Sequence, residues 1–386
     1  MGSPNLIVRA IVRIQCDRKI SSRHPGTVNE LRPNTARATC VIYFFALLLG
    51  PGAKAQESLL STDNAYNPMP SPDGRYIAYV RTGWGERAWV GFGRASLVSD
   101  VKVISTIGAA LPRTLAEDFF LSGWAPDSTH LLCFRDGRYA LVAVDGKTET
   151  KGKIPNNQNL YPFSEWIAYF PTPGSIVWDR QVDESHRAIE TLHQTVLTEK
   201  GFLGARVVPS PDGRYLAVYN ESSKTNLRVF ELRSKTWRDF GQIRIHPDTN
   251  WIYIQPNWNP WSADGSRLIF LRDTTLVISS PDGNVQKEIE VGGSAGLPTA
   301  SPDGKSVAYV EYEPRPMKQR SDLQFWGGTT ILVISMVEGS KPRAITEKNP
   351  DEVLDLKWLD SGTLVFDRVA DEVFYKQARI WKVSVP

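Results

Sequence analysis

Chemistry-bearing residues are scarce in these 386 residues: three cysteines, five histidines and four methionines. Cys16 and Cys40 precede residue 56, and Cys133 stands alone in the apolar run LLCF. A chain that starts at residue 56 therefore has no intrachain disulfide, and Cys133 reads as a buried structural thiol. His186 and His193 are seven apart with no H-E-x-x-H arrangement, and no cysteine pair exists to complete a zinc site. No glycine-rich loop follows a strand and opens a helix, which excludes the usual phosphate cradle. No long amphipathic helix is legible, strand-like segments recur throughout, and an all-β domain without a cofactor is expected.

Long apolar runs are missing as well. The run CVIYFFALLLG at 40–50 falls short of the roughly 20 residues that a membrane span needs. It follows Arg32 and Arg37 and precedes Ala53-Lys54-Ala55, an A-x-A cleavage pattern. Residues 1–55 therefore read as a secretory signal peptide cut before Gln56, its N-terminus over-extended, with translation starting near Val28 or Leu31. Residues 56–386 form the exported domain, periplasmic or secreted, with no membrane span after cleavage. The leader carries 8 of the 45 Lys and Arg and 2 of the 42 acidic residues, leaving 37 basic against 40 acidic. The whole-chain pI of 8.6 overstates the basicity of the domain, and nucleic acid is excluded as a partner.

What is present is repetition. SPDGRYIAYV at 71–80 returns as SPDGRYLAVY at 210–219 and SPDGKSVAYV at 301–310. Ser and Asp side chains bond their own turn backbone, Pro presets φ, and Gly supplies the positive φ that ends a tight hairpin. The apolar, β-branched run that follows reads as a strand buried on both faces, so the unit is strand, tight turn, inner strand. Weaker copies begin at Trp124 (WAPDSTHLLCFR), Trp261 (WSADGSRLIFLR) and Trp358 (WLDSGTLVFDR), and a degenerate one at Phe170 (FPTPGSIVWDR). The copies lie about 40 to 57 residues apart, the period of one four-stranded propeller blade. Another SPDG, at 280–283, lies only 18 residues past the turn at Asp264 and precedes an alternating polar strand, so it reads as the hairpin between a blade's third and fourth strands.

This Trp-Ser-Pro-Asp-Gly turn with its apolar strand resembles the PD40 (WD40-like) repeat of TolB-like β-propellers, over residues 57–386. The resemblance implies a single β-propeller of seven four-stranded blades, or six if the unit at 170–180 merges with a neighbour. TolB carries a separate α/β domain ahead of its propeller, and prolyl oligopeptidase relatives add an α/β-hydrolase domain. About ten residues separate Gln56 from the first repeat, so a propeller without either domain is expected and a direct Tol–Pal role is not. After Trp358 the chain supplies too few strands for a blade. ESLLSTD, at 57–63, is therefore expected to pair with the strand at 378–385 and close the ring, since an unclosed ring leaves two sheet edges exposed.

Enzyme signatures do not survive their context. GGSAG at 292–296 matches the G-x-S-x-G nucleophile elbow, but His130, His186, His193 and His246 all lie upstream of Ser294, and a turn rather than a helix follows. Asp73, Asp212, Asp264 and Asp303 each stand alone in a turn, without the acidic spacing of a calcium loop.

Loop length carries the remaining signal. In a four-stranded blade the first-to-second and third-to-fourth turns share one face, and here the former and most of the latter are tight. The long connections RTGWGERAW (81–89), RQVDESHR (180–187), QIRIHPDTNWIYIQPNW (242–258) and EYEPRPMKQRSDLQFWGG (311–328) then gather on the other. Loops on a rigid scaffold carry function, and Trp, Tyr and Arg dominate interface hot spots. Trp84, Arg87, Trp251, Tyr253, Arg315, Arg320 and Trp326 are the candidate partner-binding residues. The expectation is a non-enzymatic scaffold in the bacterial envelope that binds a protein or peptide through this face. The alternative is a propeller enzyme or carbohydrate-binding protein that uses the central funnel, with Trp251, Tyr253, Trp258 and Trp261 as stacking platforms for a sugar.

Overall fold

The repeated turn builds itself from local bonds. The Ser71 hydroxyl donates to Asp73 at 2.7 Å and accepts from Tyr76 N–H at 3.0 Å, while Asp73 accepts from Arg75 N–H at 3.0 Å. Gly74, with φ of 69°, donates its N–H to the Ser71 carbonyl at 2.8 Å. The same set recurs at Ser210, Ser262 and Ser301. No bond in it spans more than five residues, so this turn forms wherever the motif is written.

The computed structural model describes residues 56–61, 64–84, 97–108, 111–135, 138–153, 167–169, 176–181, 186–191, 195–200, 205–220, 224–247, 258–316, 324–326, 328–370 and 378–386. These lie in one unit, Gly52–Pro386. Their strands fall into seven antiparallel blades, the fourth and fifth joined into one seven-stranded sheet by a single pairing of Arg244 with Leu271. Blade 1 comprises Ala65–Pro70, Tyr76–Trp84, Leu97–Ser105 and Arg113–Glu117. Blade 2 comprises Phe120–Trp124, His130–Arg135, Arg138–Ala143 and Thr148–Lys153. The degenerate copy is a blade of its own, with strands Ile167–Tyr169, Ile176–Gln181, His186–Thr191 and Thr195–Lys200, which makes the count seven. Blade 4 holds Ala205–Pro209, Tyr215–Asn220, Lys224–Glu231 and Thr236–Arg244. In blade 5, Trp261 bridges Leu268 at the head of Leu268–Arg272, followed by Thr275–Ser279 and Val285–Glu290. The SPDG at 280–283 joins those last two strands, as its spacing predicted. Blade 6 is Ala295–Ala300, Ser306–Glu311, Thr330–Ser335 and Arg343–Ala344.

The apolar strand after each turn is second from the axis, not the axial one. Ile77, Ala78, Tyr79 and Val80 are all buried because strands cover both edges and neighbouring blades cover both faces. The axial strand is the short stretch before the turn. Its outer edge needs no partner, so it tolerates Pro68, Pro70, Pro209 and Pro298, each of which lacks a ladder N–H.

Neighbouring blades are stapled by tryptophan. Trp124 of blade 2 donates its indole N–H to the Met69 carbonyl of blade 1 at 2.7 Å and stacks on Tyr76 at 6.3 Å between centroids. Trp261 of blade 5 repeats this on Val208 and Tyr215 of blade 4, at 2.9 Å and 6.1 Å. Trp358, on strand Leu356–Asp360 of the seventh blade, donates to Thr299 of blade 6 at 3.0 Å, where Ser306 stands in place of the tyrosine. Strong SPDG blades thus precede Trp-bearing ones, and each staple combines a hydrogen bond of about 1 kcal/mol with burial of a large ring.

The ring closes as its strand count required. Glu57–Ser61 pairs with Arg379–Ser384, in the register Glu57 to Val383, Ser58 to Lys382 and Leu59 to Trp381. It becomes the outer strand of blade 7, beyond Leu356–Asp360, Thr363–Arg368 and Arg379–Ser384. The buried Arg368 guanidinium grips the Glu57 carboxylate with two N–H donors, one at 2.9 Å, and lies over the Phe366 ring. Ala65 N–H to the Ala378 carbonyl at 3.0 Å and Ala378 N–H to the Asn64 side chain at 3.1 Å extend the seam.

Candidate functional site

Strand connectivity assigns the four long connections to one end. The connections after Tyr76–Trp84, Ile176–Gln181 and Ser306–Glu311 all join second to third strands, and the stretch after Thr236–Arg244 joins blade 4 to blade 5. Trp84 ends its strand at this end. Arg315 belongs to a small hairpin inside the blade 6 connection, Arg315–Pro316 against Gln324–Phe325, in register with Phe325. Trp326 follows directly, half-buried and packed against the main core. Arg315 and Trp326 therefore share one hairpin base. Arg87, Trp251, Tyr253 and Arg320 lie outside the described residues.

The sugar-platform reading fails for two of its members. Trp258 and Trp261 are 3% and 4% exposed, and their indole N–H groups are committed to the Pro298 and Val208 carbonyls. The pairing of Tyr219 with Trp258, hydroxyl to carbonyl at 2.7 Å and ring edge to ring face, fixes the latter further. They are inter-blade core.

Beneath the long-loop end lies a set of buried charges that sequence reasoning missed. Asp367 and Arg368 end the second strand of blade 7, and buried Asp355 and half-buried Lys357 flank the start of its axial strand. Arg206 sits at the start of the axial strand of blade 4. Asp367 is fully buried and accepts three backbone N–H groups: Leu354 at 3.0 Å, Asp355 at 2.8 Å and Asn67 of blade 1 at 3.2 Å. Asn67 has φ of 56° at a bulge in its strand, which aims its N–H at that carboxylate. Leu297 of blade 6 holds the equivalent position, with φ of 52°, and donates instead to the Ile245 carbonyl at 2.9 Å. The signal available was Asp-Arg ending an otherwise apolar strand, TLVFDR, and a residue-Pro pair at one offset before two of the turns.

Burial pushes the Asp367 carboxyl well above the ordinary range, and the Asp355 charge adds to this against the pull of the backbone donors. Burial likewise lowers Lys357, with Asp355 opposing and Arg206 reinforcing the shift. Farther round, buried His246 lies 3.3 Å from Glu352 and meets Tyr312 edge-on, and the Tyr312 hydroxyl donates to the Val353 carbonyl at 2.7 Å. Carboxylates do converge near the axis, but Asp355, Asp367 and Glu352 are each under 5% exposed. Both oxygens of Asp367 are engaged by backbone, so it serves to lock blade 7 to blade 1. Ser294 of the GGSAG stretch leads straight into strand Ala295–Ala300.

The sequence matches no family model and no curated protein. Among solved structures the chain is similar to the β-propeller domain of Cps50 (Swd1) from Myceliophteria thermophila, with 13% identity and a TM-score of 0.54, over 86% of this chain and 100% of that one. At that identity the likeness speaks to backbone alone, and it agrees with the blades: the protein is a β-propeller with a WD40-like repeat architecture.

Proposed function

We propose that this protein is an exported, TolB-like propeller scaffold of PD40 repeats that binds a protein or peptide partner in the bacterial envelope through its long-loop face. The segregation of loops carries this reading. Most connections at one end of the ring are tight turns, four of them self-bonded by Ser and Asp, while the four long connections leave from the other. The buried charges under that end make a stiff base for loops rich in Trp, Tyr and Arg. The leader at 1–55, with its A-x-A pattern, supports export.

The test is crosslinking in envelope extract with the purified chain and with the Arg315→Glu, Arg320→Glu double variant. The expected result is one major crosslinked partner, lost in the double variant with the urea midpoint unchanged. Equal capture by both proteins removes the face from consideration. N-terminal sequencing of exported protein should begin at Gln56, and an intact chain retaining residues 40–50 refutes export with cleavage.

A further inference from the structure

The closing seam carries a second surface, away from the long-loop face. Blade 7 and blade 1 meet at a groove of about 270 Å³, floored by Leu60, Ile77 and Ile104 and walled by Leu59, Leu359 and Leu111. Three of the five exposed large apolar residues among those described gather here: Leu59 at 39%, Leu111 at 87%, and Ile107, beside the lining residue Thr106, at 70%. Apolar side chains left open together mark an interaction site.

Two further observations say what fits. Glu57–Ser61 pairs on one side with Arg379–Ser384 and has no described strand on the other, so its outer backbone edge is open to an added strand. Lys382, opposite Ser58 on the neighbouring strand, lines the same groove, half-buried, and has no carboxylate partner among the described residues. A lysine laid over an apolar floor keeps its stem in contact and its ammonium at the mouth. The groove is smaller than the roughly 300–1,000 Å³ of a small-molecule site, and so suits side chains rather than a whole ligand.

We propose that this groove docks an extended peptide. The peptide adds to the free edge of Glu57–Ser61, seats a leucine-sized side chain between Leu59 and Ile104, and pairs an adjacent Asp or Glu with Lys382. The site is independent of the long-loop face.

A displayed library of random short peptides, panned against the purified protein, tests this. Enriched peptides are expected to carry a large aliphatic residue next to an acidic one. Their affinity should fall about tenfold or more in Lys382→Glu, a loss of about 1.4 kcal/mol, and recover when the acidic residue of the peptide is changed to Lys. Leu59→Asp should abolish binding. If that variant does not fold, the charge swap at Lys382 decides alone. Arg315→Glu should leave binding unchanged, which separates this site from the long-loop face. The proposal is overturned by failure to enrich any peptide, or by peptides that bind Lys382→Glu as well as the native chain. It is also overturned if the protein dimerises through the seam, or if decanoate displaces the peptides and occupies the groove by itself.

Discussion

The two ends of this ring hold their aspartates in opposite ways. At the turn end, Asp264, Asp282 and Asp303 lie on the surface, and hydrogen bonds from the serine two residues earlier hold each carboxyl below its ordinary range. At the loop end, Asp367 is buried and its carboxyl is pushed far upward, by desolvation first and by Asp355 next. The turn-end bonds span two residues, whereas Asp367 reaches Asn67 across 300 and Arg368 reaches Glu57 across 311. One end is therefore encoded locally, its full set of bonds written again in four of the seven blades. The other is assembled once, by contacts that exist only when the ring is closed.

Deleting the closing strand breaks that dependence most directly. A chain starting at Tyr66 loses the pairing of Glu57–Ser61 with Arg379–Ser384 and leaves the buried Arg368 without its carboxylate. An uncompensated buried charge costs about 3–5 kcal/mol and each lost strand bond about 1 kcal/mol, so a loss of roughly 5 kcal/mol or more is expected. Urea unfolding should show a large fall in midpoint, and size exclusion should show association through the two new edges. An unchanged midpoint would mean that closure contributes nothing to stability.

Asp367→Asn sharpens the comparison at a single site. The amide keeps one acceptor for Leu354 and Asp355 but turns an NH₂ toward the Asn67 N–H, at a cost of about 1–3 kcal/mol. The pH dependence tells more. Because the folded carboxyl titrates above its ordinary value of 3.8, the native chain holds an extra proton, and the stability this gives is present below that value. It is lost as pH rises through the folded value. The advantage of native protein over Asp367→Asn should thus be greatest near pH 4 and shrink toward alkaline pH. A gap that widens with pH would show that the carboxylate is ionised in the fold.

The same contrast explains what could be read from sequence. The blades were legible because Ser71, Asp73 and Gly74 bond one another, so the turn is written in one short phrase. The closing strand followed from counting strands after Trp358. The inter-blade tryptophans were visible as the start of WAPD and WSAD, but their partners Met69 and Val208 lie 55 and 53 residues away, with nothing in the phrase to name them. Asp367 was unreadable in a stronger sense. TLVFDR and the Asn67-Pro68 pair mark the two sides of its contact, but nothing in either phrase says that they meet across 300 residues. Of the proposed binding residues, Arg315 and Trp326 come together because one hairpin carries them, a short-range relation that spacing does reveal.

At the turn end the smallest and most specific effect is expected, at Asp264. Its carboxyl is lowered from 3.8 to about 2, chiefly by the Ser262 hydroxyl at 2.6 Å and next by Ser266 at 2.7 Å. Since the folded value lies below the unfolded one, the contribution to stability is fully present above about pH 4 and lost as pH falls toward 2. The group is exposed, so solvent screening reduces that contribution to no more than about 1 kcal/mol. Asp264→Asn retains an oxygen for the Ser266 N–H but has no charge to titrate. Urea midpoints of native protein and variant should differ slightly at neutral pH and converge in acid. This is the reverse of the trend at Asp367, where the native advantage grows as pH falls toward 4. If the Asp264 gap instead persists unchanged to pH 2, the turn is held by oxygen geometry alone, and the two ends differ in burial but not in the use of charge.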